Sequence, residues 1–174
     1  MIQNYVRWRI LQEFFNYPRK EFHIRELCRR VKLGQPSVTN HINALLKEGF
    51  LLKERKDIYP TIKAHRDDEQ FKRYKRFNTI LQLQKTGLMD SLYDQTMPDV
   101  IVLFGSASKG EDVEESDIDI FLQAKEKKLG LEKYEKLLNR KISLFFEENF
   151  SKLNPELKNN ILNGIIIKGY LKVF

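Results

Sequence analysis

The sequence contains little cysteine and no long apolar run. Its one cysteine, Cys28, cannot form an intramolecular disulfide, and its amphipathic surroundings indicate a small packing residue without a chemical role. No apolar stretch approaches the ~20 residues that a membrane-spanning helix requires. The first residues also lack the apolar stretch of a signal peptide. We therefore expect a protein that stays in the cytoplasm and has no membrane partner.

The overall composition fits neither a disordered chain nor a membrane protein. Of the 174 residues, 41% are hydrophobic and 32% are charged, which is typical of a folded, water-soluble chain. This length lies between one ordinary domain and two small ones, so length alone leaves the number of domains open.

Positive charge is concentrated at one end of the chain. Residues 1–66 contain 14 Lys and Arg against 6 Asp and Glu, a balance of +8, whereas residues 97–174 contain 12 against 13, a balance of −1. Segregated positive charge points to a polyanionic partner, because counterions are released when a protein neutralises the phosphates of a nucleic acid. A basic face that is merely solvated is the alternative.

Two short helices are predicted in this basic part. The first is indicated by apolar residues at three- and four-residue spacing, namely Ile24, Leu27, Cys28 and Val31. Gly34 is expected to adopt the left-handed conformation that ends helices, and Pro36 suits the first position of the next helix. We expect this second helix to run from Pro36 to about Lys47. Its buried stripe contains the apolar residues Val38, Ile42, Leu45 and Leu46.

Polar residues occupy the other side of the second helix, and they are Ser37, Thr39, Asn40, Asn43 and Lys47. Such a face can read base edges in a major groove. A β-hairpin is predicted to follow, with strands at residues 50–54 and 58–62, and Pro60 is expected to make the return strand an edge. Arg55 and Lys56 in its turn are suited to contacts with the DNA backbone. These polar and basic residues form the candidate DNA-binding set.

Residues 5–66 resemble the winged-helix domain of ArsR- and MarR-like regulators. The resemblance lies in segments 34–45 and 48–51, which match the recognition helix and the start of the wing. It implies a winged helix-turn-helix domain at residues 1–66 that binds duplex DNA. A domain that mediates protein contacts and binds no DNA remains the alternative.

The stretch that follows, residues 67–96, is expected to be mainly helical and to link two domains. Gly87 is a candidate point of interruption in this helix. In winged-helix regulators a helix at this place often forms the dimer interface. The resemblance therefore suggests a homodimer.

A second group of motifs occupies the C-terminal half. An uninterrupted apolar run, Val100–Phe104, has the length of a buried strand and ends at Gly105-Ser106. A second predicted strand begins ten residues later and carries Asp117 and Asp119. Because side chains alternate faces along a strand, both carboxylates point the same way, ~6.5–7 Å apart. Such a pair can bracket divalent cations.

These residues have a joint chemical rationale. Gly105 lets the backbone approach a triphosphate, and the Ser106 hydroxyl and local amides can hydrogen-bond to phosphate oxygens. Lys109 is the nearby cation that can contact phosphate. Divalent metals at Asp117 and Asp119 would offset the charge of the attacking and leaving oxygens. The two aspartates are therefore the candidate catalytic and metal-binding residues, and the other three residues are the candidate nucleotide-binding set.

The pair Gly105-Ser106, ten intervening residues and Asp117-Ile118-Asp119 together resemble the signature of the minimal nucleotidyltransferases, which are relatives of DNA polymerase beta. The similarity extends over about residues 86–174. It implies an α/β domain with a mixed sheet, Mg²⁺ or Mn²⁺ as cofactor, and transfer of a nucleoside monophosphate from a nucleoside triphosphate with release of pyrophosphate. Some members modify a partner toxin of the HEPN type, so such a toxin is a candidate protein acceptor. A chance Asp-x-Asp pair on an exposed strand is the alternative.

Two positions depart from the family's pattern. Ala107 stands where many members have an arginine. Ser143, on a strand predicted at residues 141–145, stands where the third metal-binding aspartate is expected, and a hydroxyl lacks the charge and basicity of a carboxylate. Glu147 shares strand parity with Ser143, but it would lie about 13 Å away along an ideal strand. The acidic residues Glu111, Asp112, Glu114 and Glu115 are an alternative source of the third carboxylate, but a solvated loop is the favoured interpretation of this stretch.

The expected architecture is an α/β protein of two domains: a winged helix-turn-helix at residues 1–66, a linking helical segment at 67–96, and a nucleotidyltransferase domain at 97–174. The first hypothesis for its function is a metal-dependent enzyme that moves a nucleoside monophosphate to a protein or nucleic-acid hydroxyl and also binds DNA. The second is a transcriptional regulator whose degenerate transferase domain only binds nucleotide or a protein partner. A purely structural interaction protein is a weaker third. The identity of residue 143, a serine where the family's third carboxylate is expected, distinguishes the enzyme hypothesis from the regulator hypothesis.

Overall fold

The computed structural model describes residues 5–55 and 59–173. The chain divides into two compact units, Met1–Lys75 and Arg76–Phe174. Within the described part, no helix has both the length and the apolar character needed to cross a membrane.

The first unit contains helices followed by a hairpin. Its elements are α1 (Val6–Asn16), α2 (Ile24–Val31), α3 (Gln35–Lys47), β1 (Leu51–Glu54), β2 (Thr61–Ala64) and the first part of α4 (Glu69–Thr86). Aromatic side chains fill its core: Phe14 packs on Phe22 and Phe15 on Phe71, each with ring centroids 5.1 Å apart. Each such ring contributes roughly 1.5–3 kcal/mol when it is fully buried. These ring contacts hold α1 against the Phe22 segment and against α4.

The turn between α2 and α3 differs from the prediction. Lys32, and not Gly34, adopts the left-handed conformation that ends α2, with φ of 52°. The C-cap residue of α2 is thus Lys32, two residues before Gly34. Gly34 has an extended backbone and is the N-cap residue of α3. Pro36 lies in the first turn of α3, as expected.

The hairpin is also shifted from its predicted position. Its return strand begins at Thr61, directly after Pro60, since proline lacks the N–H that a strand residue donates. Ile62 exchanges two hydrogen bonds of 2.8 Å with Phe22 on the side away from β1. The return strand is an edge of this two-stranded sheet, as predicted, but Pro60 precedes the strand and does not lie within it. Phe22 adds only an isolated bridge on the strand's outer side.

Helix α4 begins in the first unit and ends in the second. Gly87, at φ of +73°, separates α4 from α5 (Leu88–Thr96), so the predicted interruption is confirmed. Leu88 and Leu92 are fully buried in the core of the second unit, with Leu83 from the end of α4. The helical stretch is thus partly built into the second unit's core.

The second unit is a mixed sheet covered by helices, as the nucleotidyltransferase resemblance predicts. Its further elements are β3 (Val100–Phe104), α6 (Gly105–Lys109), β4 (Ile118–Leu122), α7 (Glu132–Leu138), β5 (Ile142–Phe146), a 3₁₀ turn (Phe150–Lys152), α8 (Pro155–Leu162) and β6 (Ile165–Gly169). The strand order is β5-β4-β3-β6. Strand β3 is antiparallel to β4 and β6, whereas β4 and β5 are parallel.

Both faces of the central strands are covered, which explains their uninterrupted apolar sequence. On one face Leu103 and Ile120 pack with α5 and Tyr134 of α7. On the other face Phe104 and Phe121 pack with the 3₁₀ turn and α8. Asp119 is two residues before Phe121 and therefore lies on this second face, near the start of β4.

Candidate functional site

The site begins where β3 runs into α6. Gly105 has φ of +69°, a conformation that side chains with a Cβ rarely adopt. A Cβ at this position would overlap Oδ2 of Asp119, because the carboxylate lies directly against the glycine Cα. Gly105 thus allows the end of β3 and the Asp119 side chain to approach closely. Ser106 is half-buried beside it, and Lys109 is exposed at the end of α6.

The two predicted metal-binding carboxylates flank the first residue of β4. Asp117 precedes the strand and is exposed, whereas Asp119 lies within it and is half-buried. Between and after them, Ile118 and Ile120 are 2% and 0% exposed. The alternation that the sequence predicts is therefore present, and both carboxylates leave the sheet on the same face.

Burial and a neighbouring charge act on the carboxyl group of Asp119. The pKa of Asp119 is raised, first because burial disfavours the charged carboxylate and second because the charge of Asp117 is close; Arg140 partly opposes the shift. The ionised pair is thus repulsive in the protein alone. A bound cation would relieve this repulsion.

Ser143 lies beside the two carboxylates. Strands β4 and β5 pair in parallel with Ser143 opposite Asp119, and the Ser143 hydroxyl donates a 3.1 Å hydrogen bond to Oδ2 of Asp117. Glu147 lies beyond the end of β5, where its Oε1 accepts a 3.0 Å hydrogen bond from the Asn149 N–H. Ser143 is therefore the side chain that β5 brings to the pair. That it replaces a carboxylate of the family stays a prediction.

Arg140 holds the segment that leads into Asp117. Its Nε donates to the Ser116 carbonyl at 2.6 Å, and its Nη2 donates to the Asp117 carbonyl at 3.1 Å. Its Nη1 forms a 2.6 Å ion pair with Asp112, whose side chain is only 2% exposed. Truncating one member of such a buried pair typically costs about 3–5 kcal/mol. Arg140 thus fixes the backbone from which Asp117 projects.

Sequence reasoning missed this clamp and misplaced part of the acidic stretch. Asp112 was expected to lie in a solvated loop, but it is buried against Arg140. The two residues are separated by 28 positions in the chain. Local pattern carries no information on such a pairing. The position of Arg140, directly before the strand predicted at residues 141–145, is a signal that could have drawn attention to this residue.

The two carboxylates are too few to hold a metal ion by themselves, but they suit Mg²⁺ that is also bound by a substrate. Among residues 5–55 and 59–173, no three His, Cys, Asp or Glu side chains come together as a metal-binding group. Mg²⁺ is commonly held by one or two carboxylates together with phosphates of the substrate. Asp117 and Asp119 are two such carboxylates, and they lie next to the glycine turn between β3 and α6.

The predicted DNA-binding residues lie in the first unit. On α3 the buried stripe is formed by Val38, Ile42 and Leu45, as predicted, while Leu46 is half-buried. Of the polar set, Asn40, Asn43 and Lys47 are exposed, and Ser37 and Thr39 are half-buried. Arg55 is exposed after β1, and Lys56 lies outside the described residues.

A comparison with protein families agrees with the geometry of the second unit. Residues 87–171 match the family model described as Polymerase beta, Nucleotidyltransferase. The matched segment contains Gly105, Asp117, Asp119 and Ser143. This match supports the nucleotidyltransferase superfamily for this part of the chain. A search among curated proteins found no match to the chain.

Proposed function

We propose that the second unit is a metal-dependent nucleotidyltransferase that moves a nucleoside monophosphate from a nucleoside triphosphate to a hydroxyl of a protein or nucleic acid. The observation that carries the proposal is the close approach of Gly105 to the Asp119 carboxylate. This approach brings a turn suited to phosphate next to a pair of carboxylates suited to a divalent cation.

Each residue has a distinct part in this reaction. The amides and hydroxyl of Gly105-Ser106 bind the triphosphate, and Lys109 adds a positive charge. Asp117 and Asp119 hold Mg²⁺ or Mn²⁺, which when bound offsets the negative charge of the attacking and leaving oxygens. Arg140 keeps the Asp117 backbone in place before the metal arrives. The chain therefore supplies mainly binding and positioning, which is where most of the catalysis of phosphoryl-type transfer resides.

Ser143 favours a second candidate function. A neutral hydroxyl cannot serve as the carboxylate that would activate an incoming acceptor, and a positioned general base contributes about 10²–10⁴-fold in rate. With Ser143 hydrogen-bonded to Asp117, the unit can still bind metal and nucleotide. On this alternative the protein is a regulator in which nucleotide or a protein partner is bound and no transfer follows.

For the first unit we propose a winged-helix domain that binds duplex DNA. The helix pair α2 and α3, followed by the β1–β2 hairpin, supports this proposal, as does the balance of +8 in residues 1–66. Asn40, Asn43 and Lys47 would enter the major groove, and Arg55 would contact phosphate. A homodimer and a HEPN-type toxin as protein acceptor are further proposals that follow from the two resemblances.

The proposed transfer is tested by comparing the parent protein with a variant that lacks both carboxylates. Nucleotide binding is measured by calorimetry with Mg²⁺ and each nucleoside triphosphate, and transfer is measured with labelled triphosphates and cell extract as the source of acceptors. Asp117→Asn with Asp119→Asn should abolish Mg²⁺-dependent binding, since neutral amides remove the charge at nearly unchanged volume. Unchanged affinity in this double variant would exclude the pair as the metal site.

Ser143→Asp separates the two candidate functions in the same assay. If the parent binds nucleotide but transfers slowly, this variant should raise transfer by about 10²–10⁴-fold, because it restores a base and a metal ligand. A parent that is fully active and is slowed by Ser143→Asp would eliminate the regulator, because the site would then have another source of its third ligand.

A further inference from the structure

The strand order places two different groups on opposite sides of the carboxylates. Strand β4, which bears Asp119, lies between β3 and β5. The Gly105–Lys109 helix continues from β3, so the proposed phosphate-binding turn is on one side. Ser143 of β5 is on the other side. A nucleotide bound at the carboxylates would therefore have its phosphates towards the Gly105-Ser106 turn. Ser143 would lie on the opposite side of the metal.

This arrangement matches the geometry of nucleotidyl transfer. The attacking and leaving oxygens lie roughly in line on opposite sides of the reacting phosphorus. If the leaving pyrophosphate is held by Gly105-Ser106, the attacking hydroxyl must approach from the side of β5. Within the described part of the chain, β5 is the outermost strand on this side of the sheet.

Ser143 itself offers a hydroxyl on that side. The hydroxyl is half-buried and donates its 3.1 Å hydrogen bond to the Asp117 carboxylate. This hydrogen bond keeps the hydroxyl next to the proposed metal-binding pair, on the side from which an attacking group would approach. Phe145, two residues along the same face of β5, is 38% exposed, so this face of the strand is partly accessible to solvent beside Ser143.

The other serines near the site are placed differently. The Ser108 hydroxyl is buried and donates to the Gly105 carbonyl at 2.8 Å. The Ser116 hydroxyl accepts a 2.9 Å hydrogen bond from the Val113 N–H. Ser106 belongs to the turn that would hold the leaving group. Of these serines, Ser143 alone directs its hydroxyl at a carboxylate of the pair.

We infer that Ser143 is a nucleotide acceptor within the same chain, so that the protein nucleotidylates itself at this residue. The inference rests on the proposed function, because it requires a metal-bound nucleoside triphosphate at the site. It gives the serine a chemical role where the loss of a carboxylate would otherwise only weaken the enzyme. The product would block the site and make the modification self-limiting.

The step balances as an ordinary nucleotidyl transfer. An electron pair of the Ser143 Oγ forms a bond to the α-phosphorus, and the bond from that phosphorus to the bridging oxygen of the β-phosphate breaks. The bond's electron pair leaves with pyrophosphate. The serine proton is released to solvent water. The product is a phosphodiester between Ser143 and the nucleoside, and no oxidant or further reactant is needed.

The test uses the full-length protein and the four nucleoside triphosphates, each labelled at the α-phosphate, with Mg²⁺ or Mn²⁺. After the metal is removed with chelator, the mass of the intact protein and of its peptides is measured. We expect up to one nucleoside monophosphate per chain, located on Ser143. Ser143→Ala should remove the adduct, and Ser143→Thr should retain part of it because the hydroxyl is kept.

Matched controls make the result specific. Ser151→Ala removes an exposed serine away from the carboxylates and should leave the adduct unchanged. Binding of Mn²⁺ alone, followed by its paramagnetic resonance signal, should persist in Ser143→Ala. Nucleotide binding without any adduct, or an adduct only at other residues, would overturn the inference and leave the proposed function standing. Absence of metal-dependent nucleotide binding would overturn both.

Discussion

At the scale of single residues, the sharpest constraint is on Gly105. Its φ of +69° costs a residue with a Cβ roughly 1–2 kcal/mol. The same Cβ would also displace the Asp119 carboxylate, whose Cγ would lie only 3.3 Å from it. Gly87 has nearly the same φ, +73°, but nothing lies within 4 Å of its Cβ position. A substitution at Gly87 would therefore cause backbone strain alone, whereas one at Gly105 would cause the same strain and also displace the Asp119 carboxylate.

Gly105→Ala should lower both stability and nucleotide affinity, whereas Gly87→Ala should lower stability alone. Each variant should lose roughly 1–2 kcal/mol of unfolding free energy from the left-handed backbone. Only Gly105→Ala moves the Asp119 carboxylate, so only it should weaken binding of Mg²⁺ with a nucleoside triphosphate. Urea unfolding and calorimetric titration of the two variants check this. Equal nucleotide affinity in Gly105→Ala and Gly87→Ala would contradict the proposed contact.

At the scale of elements, local patterns predicted the parts of the site that lie on one stretch of chain. The apolar run Val100–Phe104 is strand β3, and the alternation around Ile118 places Asp117 and Asp119 on one face. The helix expected from Pro36 to Lys47 is α3, found at Gln35–Lys47. In each case the buried residues recur at the spacing that is typical of the helix or strand, and the apolar residues of the sequence show the same spacing.

Features that depend on distant partners escaped prediction. Ile62 pairs with Phe22, which lies 40 positions away, and Arg140 binds Asp112, which lies 28 positions away. Lys32 ends α2 in a conformation usually taken by glycine, and the residue before it, Val31, is buried in the core. These outcomes are decided by contacts between elements, and no spacing along the chain encodes them.

The exposed side chains of α3 and the hairpin predict two different effects on DNA binding. A preferred duplex is first selected from random sequences with the full-length protein. Asn40→Ala should weaken binding to this duplex by about 1–3 kcal/mol and leave non-specific binding nearly unchanged, because base contacts specify sequence. Arg55→Ala should weaken binding to all duplexes about equally and reduce the salt slope by about one unit.

A second asparagine provides the control for this experiment. Asn160 is an exposed residue of α8 in the other unit, so Asn160→Ala should not affect DNA binding. Affinity is measured by fluorescence anisotropy over a range of salt concentrations. If Asn40→Ala weakens selected and random duplexes alike, α3 does not read bases. If no duplex shows salt-dependent affinity, the DNA-binding proposal is wrong.

At the scale of the whole molecule, the chain combines two units that differ in charge and in proposed ligand. Residues 1–66 carry the positive balance, whereas residues 97–174 are close to neutral. The one tryptophan, Trp8, belongs to the first unit, where it is 5% exposed and packs on Phe15 and Tyr74. Its fluorescence therefore reports on the first unit, whereas circular dichroism reports on helices and strands of both.

Ligands of the two units should stabilise different parts of the thermal unfolding curve. A ligand that binds only the native state, at a hundred times its Kd, contributes about 2.7 kcal/mol, which for a unit of this size raises Tm by roughly 10–20 °C. Mg²⁺ with a bound nucleoside triphosphate should shift the circular dichroism transition and leave the Trp8 transition in place, and a short DNA duplex should shift the Trp8 transition. In Asp117→Asn with Asp119→Asn, the nucleotide effect should vanish while the DNA effect persists. A nucleotide that moves the Trp8 transition as far as the circular dichroism transition would show that α4, which is shared by both units, makes them unfold as one.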